Sequence, residues 1–272
     1  LDHVPVSESY QPLPNRKQGF DYFHINSVAE MDDGNLLISG RNTWGLYKVD
    51  RSTGKVLWRL NGKRSDFSLS GPARFYWQHD ARAVGASQIS VFDNAGPKRE
   101  KSSRGVLLSV DASTMQVDLK QAYLHPAGFQ VGTQGSMQSL PDGRVFIGWG
   151  DQPYFSEFAP DGTLTLDGQL PVAVRSYRAY TADWVGRPQA PPRHLARQNP
   201  AGGFIVHASW NGATEIAGWA VLAGSTKSSL TQVGGQPWTG FETAIAVNSV
   251  GPYFSAVALD ANGKELGRSE VT

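Results

Sequence analysis

The sequence contains no cysteine in 272 residues. That excludes disulfides, thiolate nucleophiles and cysteine-ligated zinc or iron–sulfur centres. Charge is scarce and balanced, with 25 Lys and Arg against 24 Asp and Glu for a net charge of +1. A nucleic-acid partner calls for clustered basic residues, and none is expected here. The densest basic run, Lys98-Arg99-Glu100-Lys101, sits in a Gly/Pro/Ser-rich context and reads as a solvated loop. No apolar run approaches the roughly 18 residues of a membrane span, and no signal peptide is visible. The chain opens on Leu1 inside what reads as a structured segment, so further sequence is expected upstream.

What the chain does have is glycine (30), tryptophan (8) and many short β-branched and aromatic runs. A hydrophobic fraction of 40% is ample for one or two buried cores. The turn at Asp33-Gly34 precedes a strand-like run at 35–39. Two more runs follow, at 45–49 and, after Ser52-Thr53-Gly54, at 56–60. Turn signals between such runs predict antiparallel hairpins. The order recurs with runs at 88–92, 106–110 and 117–122, and again at 144–148, 154–158 and 163–166. The first runs start near 35, 88 and 144, spacings of 53 and 56 residues. Four short strands per roughly 50 residues is the pattern of a β-propeller blade. The expected fold is therefore all-β. Residues 1–186 would form a partial β-propeller of three blades, with part of a fourth at 176–181. Three blades do not close a ring, so the missing blades of the same protein would lie upstream.

Residues 187–202, rich in Pro, Arg and Gln, read as a linker. Residues 203–272 carry six strand-like runs separated by turns, which predicts a small β-sandwich with Trp210 and Trp219 in its core. In architecture this segment resembles fibronectin type III modules.

The chemistry concentrates at strand starts. Asp21-Tyr22-Phe23-His24-Ile25-Asn26-Ser27-Val28 opens the first hairpin. Strand residues two apart share a face. His24 and Asn26 should project together, with Phe23, Ile25 and Ser27 on the other side. A second histidine stands in Gln78-His79-Asp80-Ala81-Arg82, and an arginine between them in Ser39-Gly40-Arg41-Asn42-Thr43. Two histidines, an asparagine and an arginine at strand ends can form a pocket for an anionic group.

Each residue also has a structural reading. His79 could be satisfied by Gln78 and Asp80, His24 and Asn26 could pin loops between blades, and Arg41 could pair with Asp50 or Asp21. A metal triad of His24, His79 and Asp80 or Asp93 is a further alternative. Asp93-Asn94 reads as a strand-end turn or channel lining, and His125 before Pro126 as structural. His3, His194 and His207 have no supporting constellation. Trp44, Trp77 and Trp149 read as core or channel wall.

Taken in order, His24-Ile25-Asn26-Ser27, Ser39-Gly40-Arg41-Asn42-Thr43, Trp58-Arg59-Leu60-Asn61-Gly62-Lys63, Trp77-Gln78-His79-Asp80-Ala81-Arg82 and Phe92-Asp93-Asn94 resemble the bacterial and fungal arylsulfotransferase (ASST-like) family. Gly148-Trp149-Gly150, Ser156-Glu157-Phe158 and the run from Ala208 to Glu215 fit the same group, as does Asp-His-Val-Pro at 2–5.

The resemblance implies a six-bladed propeller, an extracytoplasmic or secreted location, and no cofactor or metal. It implies sulfuryl transfer from an aryl sulfate donor to a phenolic acceptor through a sulfohistidine. Carried over, His79 is the nucleophile, His24 and Asn26 the family's His-x-Asn pair, and Arg41 the arginine on the sulfuryl oxygens. A further site histidine would come from upstream of Leu1. A neutral imidazole is a competent nucleophile near pH 7, and a guanidinium offers fixed donors to spread negative charge. The alternative is a non-catalytic propeller–sandwich module binding carbohydrate, peptide or a protein partner. A quinoprotein-like oxidoreductase has no support in the motifs.

Overall fold

A computed structural model describes residues 3–14, 19–96, 102–249 and 251–272. Asp2 and the basic run at 98–101 lie outside the described residues. Two compact units are present, Leu1–Thr181 and Ala182–Thr272.

The first unit is built from three sheets, antiparallel except for one short parallel pair at the edge of the second. Strands β1 (Ile25–Glu30), β2 (Leu36–Gly40), β3 (Gly45–Val49) and β4 (Val56–Leu60) form one meander. A short β5 (Ser68–Leu69) joins β6 (His79–Ala83), β7 (Gln88–Asp93), β8 (Arg104–Asp111) and β9 (Gln116–Leu124) in the second. The third holds β10 (Ser136–Ser139), β11 (Val145–Gly148), β12 (Tyr154–Phe158) and β13 (Leu164–Gln169). Gly and Asp turns close each hairpin. Asp50 and Asp111 accept bonds from the next two turn residues, and Gly34, Gly54, Gly143 and Gly162 take the left-handed conformation.

Strand β7 shows why the sheets stack. Its period of two sends Ile89 and Val91 into a core with Leu37, Leu46 and Leu60 of the first sheet. Phe92 points the other way, into a core with Met137, Ile147, Trp149 and Phe158 of the third. The middle sheet is thus covered on both faces, and its strand reads almost wholly buried. The architecture is all-β and β-propeller-like.

Two sequence expectations for this unit are corrected. Residues 176–181 form no strand. The Ala179 and Thr181 N–H groups donate to the Ser136 and Gln138 side chains, at 3.0 and 2.9 Å, instead of to a neighbouring backbone. The alternation expected from His24 to Ser27 also fails. β1 starts only at Ile25, His24 has φ +54°, and the pairing with β2 skips Asn26 in a bulge. Ile25 is accordingly 56% exposed while Ser27 is buried.

The second unit has two sheets, β14 (Arg193–Gln198), β15 (Phe204–Ser209) and β18 (Glu242–Val247) in one, and β17 (Ser229–Pro237), β16 (Gly218–Thr226), β19 (Tyr253–Leu259) and β20 (Glu265–Arg268) in the other. Val206, Trp219, Val221, Ile245 and Phe254 fill the core they share, with Trp210 packed against it. The indole N–H of Trp210 donates to Ala190 O at 2.7 Å. Part of the segment read as a linker is therefore β14, in register with β15 from Arg193 to Gln198. As an edge strand it carries charge outward, and that polarity made it look like a connector.

Burial between stacked sheets sets a testable cost. Leu108, fully buried in the first core, should lose about 2–5 kcal/mol on truncation to alanine. Leu166, exposed on β13, should lose within about 0.5 kcal/mol. Urea unfolding of the two variants reads the contrast, and equal midpoints would contradict the stacked-core reading.

Candidate active site

Strands β1, β6 and β10, one in each sheet of the first unit, are entered through a residue in the left-handed region: His24 (φ +54°), Trp77 (φ +56°) and Gln134 (φ +66°). Non-glycine residues enter that region at a cost of about 1–2 kcal/mol, so three in equivalent places mark a recurring device. Each turns the chain sharply into the strand. The second strand entry adds a bulge. His79 pairs with Phe92 and Arg82 with Ser90, so Asp80 and Ala81 together oppose one residue, with Asp80 at φ +50°. A bulge re-aims side chains. Here it lets the consecutive residues His79, Asp80 and Ala81 all be buried.

His79 is 2% exposed. Its Nδ1 lies 3.0 Å from Trp77 O and 2.8 Å from Asn94 Oδ1. Both are acceptors, because Asn94 Nδ2 donates to Val131 O and Gln134 O at 3.1 and 3.0 Å. Nδ1 therefore carries the proton, and Nε2 is left with its lone pair. That lone pair accepts the Gln134 N–H at 3.2 Å. Burial pulls the imidazole down to about 4. The Asn94 bond opposes the shift, while the positive charges of Arg41 and of a protonated His24 add to it.

Arg41 stands on the Trp77 side of the histidine. Its N–H donates to His24 O at 3.0 Å. Its guanidinium lies 4.2 Å over the Trp77 ring and donates to Gly132 O and Asn42 Oδ1, each at 3.2 Å. Nε is buried without a partner. Burial lowers its pKa while Asp21 raises it, and a guanidinium stays charged throughout. The expected alternative of a structural ion pair with Asp50 or Asp21 is absent among the described residues.

Asn26 donates through Nδ2 to Gln78 O at 2.6 Å, one residue from His79. Its Oδ1 is buried and unpartnered. His24 is the outlying member. Its side chain is 42% exposed, its Nδ1 is held by Asp21, and it lines a surface concavity of about 450 Å³ with residues 20–25. The structure thus sets Arg41 and Asn26 against Trp77 and Gln78, the two residues before His79, and leaves the His24 side chain at the rim.

The expected satisfiers of His79 do other work. Gln78 Nε2 reaches Ser39 Oγ, Gly40 O and Gly45 O. Asp80 accepts from Arg82, Tyr180 and Met137. Asp93 accepts from Arg104 and from the Tyr76 and Ala95 N–H groups. Among the described residues no group of three His, Cys, Asp or Glu is placed to hold a metal ion. His125 stacks on Phe129 at 4.0 Å and bonds both oxygens of Asp167 at 3.1 Å, a packing role.

Four further residues complete the surroundings of the histidine. Asn94 fixes the tautomer of His79, and Gln134 covers its Nε2. Tyr177 presents its ring edge-on to the imidazole at 6.4 Å. Arg178 donates to Asn26 O at 2.7 Å across 152 residues of sequence. Asn94 closes the Phe92-Asp93-Asn94 motif, which reads in sequence as a strand-end turn or channel lining, and no local pattern announces the other three.

The sequence matches the arylsulfotransferase (ASST) family over residues 2–170, a stretch that takes in all three sheets of the first unit. The chain belongs to that family. Comparison with curated proteins finds no match.

Solved structures similar to the chain include a protein of unknown function from Bacteroides caccae. It is 12% identical, with a TM-score of 0.38, over 90% of this chain and 81% of that one. A PQQ-bound aldose sugar dehydrogenase from Streptomyces coelicolor is 13% identical, with a TM-score of 0.38, over 91% and 94%. Virginiamycin B lyase from Staphylococcus aureus is 10% identical, with a TM-score of 0.37, over 93% and 71%. At these scores none of them bears on the chemistry of this chain.

The depressed pKa of His79 has a consequence for stability. The unfolded chain binds the proton below about pH 6.5, whereas the folded chain waits until about 4. Stability is therefore lost as pH falls from about 6.5 to about 4, and is unaffected by this group above and below. The loss is on the order of 3 kcal/mol. Unfolding of wild type and His79→Gln across that range should show the gap between them shrinking towards low pH. A constant gap would mean that His79 is not buried in its neutral form.

Proposed function

We propose that the chain transfers a sulfuryl group from an aryl sulfate to a phenol, with His79 Nε2 as the relay. The observation that carries this is the fixed tautomer. Two acceptors hold the Nδ1 proton, so the lone pair of a neutral imidazole stands at Nε2. In the first half-reaction Nε2 attacks sulfur and the S–O(aryl) bond breaks. The departing phenolate takes a proton from His24. In the second, the acceptor oxygen attacks the same sulfur, the N–S bond breaks, and His24 takes the proton of the acceptor. Arg41 offers its unpartnered Nε–H to the sulfuryl oxygens. Asn26 holds the backbone beside the nucleophile through Gln78 O.

In this reading the three sheets are consecutive blades of a six-bladed propeller. Residues 182–272 form a fibronectin type III-like sandwich, a reading supported by their sheets of three and four strands. The protein would work outside the cytoplasm. No helix of the described residues is long and apolar enough to cross a membrane.

One observation favours a second reading. The Gln134 N–H already occupies Nε2, in a side chain almost closed to solvent. On that reading His79 pins the 131–134 loop to the second sheet, and the unit is a binding module.

Covalent chemistry separates the two. With 4-nitrophenyl sulfate and no acceptor, the full chain should release one phenol per molecule in a burst and gain one sulfuryl group on His79. His79→Ala should lose both. Turnover unchanged in His79→Ala would end the relay assignment, and an absence of both turnover and labelling in wild type would establish the second reading.

A further inference from the structure

The space between the second and third sheets is filled at one end only. Where β6 and β10 begin, Phe92, Met137, Ile147 and Trp149 close it. Towards the far ends of the same two strands it opens into a pocket of about 640 Å³, lined by Ala83 and Val84 on one side and Ser139, Leu140 and Pro141 on the other. That is within the range of small-molecule sites. One side chain accounts for the difference. Positions 37, 90 and 146 are spaced by 53 and 56 residues, the spacing of the repeat. Each lies on the second strand of its meander, Leu37 opposite Ala29, Ser90 opposite Arg82 and Phe146 opposite Gln138. Leu37 fills the core between the first and second sheets. Ser90, between the second and third, is too small to do the same, and the pocket stands where a large side chain is missing.

Ser90 is 0% exposed, and its hydroxyl has no hydrogen-bond partner. The Ser139 hydroxyl is likewise buried and unpartnered. Both residues line the pocket. A buried hydroxyl without a partner is costly, so two on one cavity suit a ligand that bonds them. The other polar side chains there are already engaged. Gln138 exchanges two bonds with the Thr181 backbone, each at 2.9 Å. The Tyr180 hydroxyl accepts from Arg82 at 3.0 Å and donates to Asp80 at 3.1 Å. Arg82 is committed to Asp80 through Nε and Nη2.

These facts select among ligands. A sugar would set most of its hydroxyls against Val84, Leu140 and Pro141 with nothing to bond. A buried carboxylate needs a cation of its own, and Arg82 already has its carboxylate. A neutral molecule with one hydroxyl on an apolar body fits, because each serine can donate or accept. The thioether of Met137 and the half-exposed ring of Tyr180 favour an aromatic body. We propose that this pocket binds a neutral ligand of the phenol class, with its hydroxyl bonded by Ser90 and Ser139. The site lies at the far end of β6 from His79, and the inference does not depend on the sulfuryl-transfer reading.

The test measures dissociation constants by calorimetry on the full chain for 4-ethylphenol, 4-ethylanisole, 4-ethylbenzoate and glucose. Wild type should bind the phenol about fivefold more tightly than its methyl ether, which cannot donate, and more tightly than the carboxylate or the sugar. Ser90→Ala and Ser139→Ala should each weaken the phenol about fivefold without lowering Tm, since the hydroxyl removed bonds nothing in the free protein. Ser90→Leu installs the side chain that the first sheet carries at this position. It should abolish binding and raise Tm.

Phenol affinity unchanged in Ser90→Leu would place the ligand elsewhere and overturn the proposal. Equal affinity for phenol and methyl ether would remove the role of the serines. Tighter binding of glucose or of the carboxylate would overturn the ligand class. Binding of no probe by wild type would mean that the pocket holds water alone.

Discussion

The carboxamide of Asn94 holds the candidate site in one state. Its oxygen takes the proton side of His79, and its nitrogen reaches across to Val131 and Gln134. One buried group therefore sets the imidazole tautomer and ties the loop before β10 to the end of β7. Neither job can change without the other. Rotating the amide would place N–H against N–H at His79 and leave two carbonyls unpaired, a loss of several bonds in a site closed to water. The low basicity of the histidine follows from the same enclosure. Burial and the nearby arginine charge disfavour a second proton, and the bonds to Asn94 and Trp77 offset them only in part.

Much of this architecture was legible because sheet periodicity is a local property. Runs such as Gly45–Val49 and Val56–Leu60 match β3 and β4 residue for residue. Their turns carry Gly and Asp at the positions that need them. Legibility stopped where side chains replace backbone as partners. The segment at 176–181 looks extended in sequence but bonds to Ser136 and Gln138 instead of to a strand. It also stopped at bulges. Nothing in His24-Ile25-Asn26 says that the alternation breaks there, because a bulge depends on what the partner strand does. For the site, the motifs supplied His79, Arg41 and Asn26. Arg178 and Gln134 come from distant sequence and arrive only through packing, so a single chain read linearly has no means of pairing them with the histidine.

The middle sheet explains why the site is placed where it is. A buried polar group is costly unless it is bonded, and apart from Ser90 the buried polar side chains of the middle sheet collect at the strand entries, where turns offer free backbone. His79, Asn94, Gln78 and Asp80 all sit at that end of the second sheet. Their partners are drawn from the first sheet and from the chain around the third. The chemistry of the entry is thus distributed over several segments, while the apolar interior below it is conventional.

The way 176–181 is fastened has its own consequence. Four bonds hold its backbone to β10, all through the Ser136 hydroxyl and the Gln138 carboxamide. Backbone bonds from Gly135 N–H to Tyr177 O and from Ser176 N–H to Gly150 O, and the Arg178 and Tyr180 bonds to Asn26 and Asp80, add to these, so the segment can open without the β10 ladder but only by breaking several kinds of contact at once. Amides at 179 and 181 therefore belong to a separate, shallower exchange regime than those of β11 or β7. The ring of Tyr177 and the guanidinium of Arg178 ride on that segment. Solvent that reaches the buried imidazole by a local opening must therefore part side-chain bonds to Ser136, Gln138, Asn26 and Asp80, so the exchange of these amides reports on polar contacts and not on the apolar core.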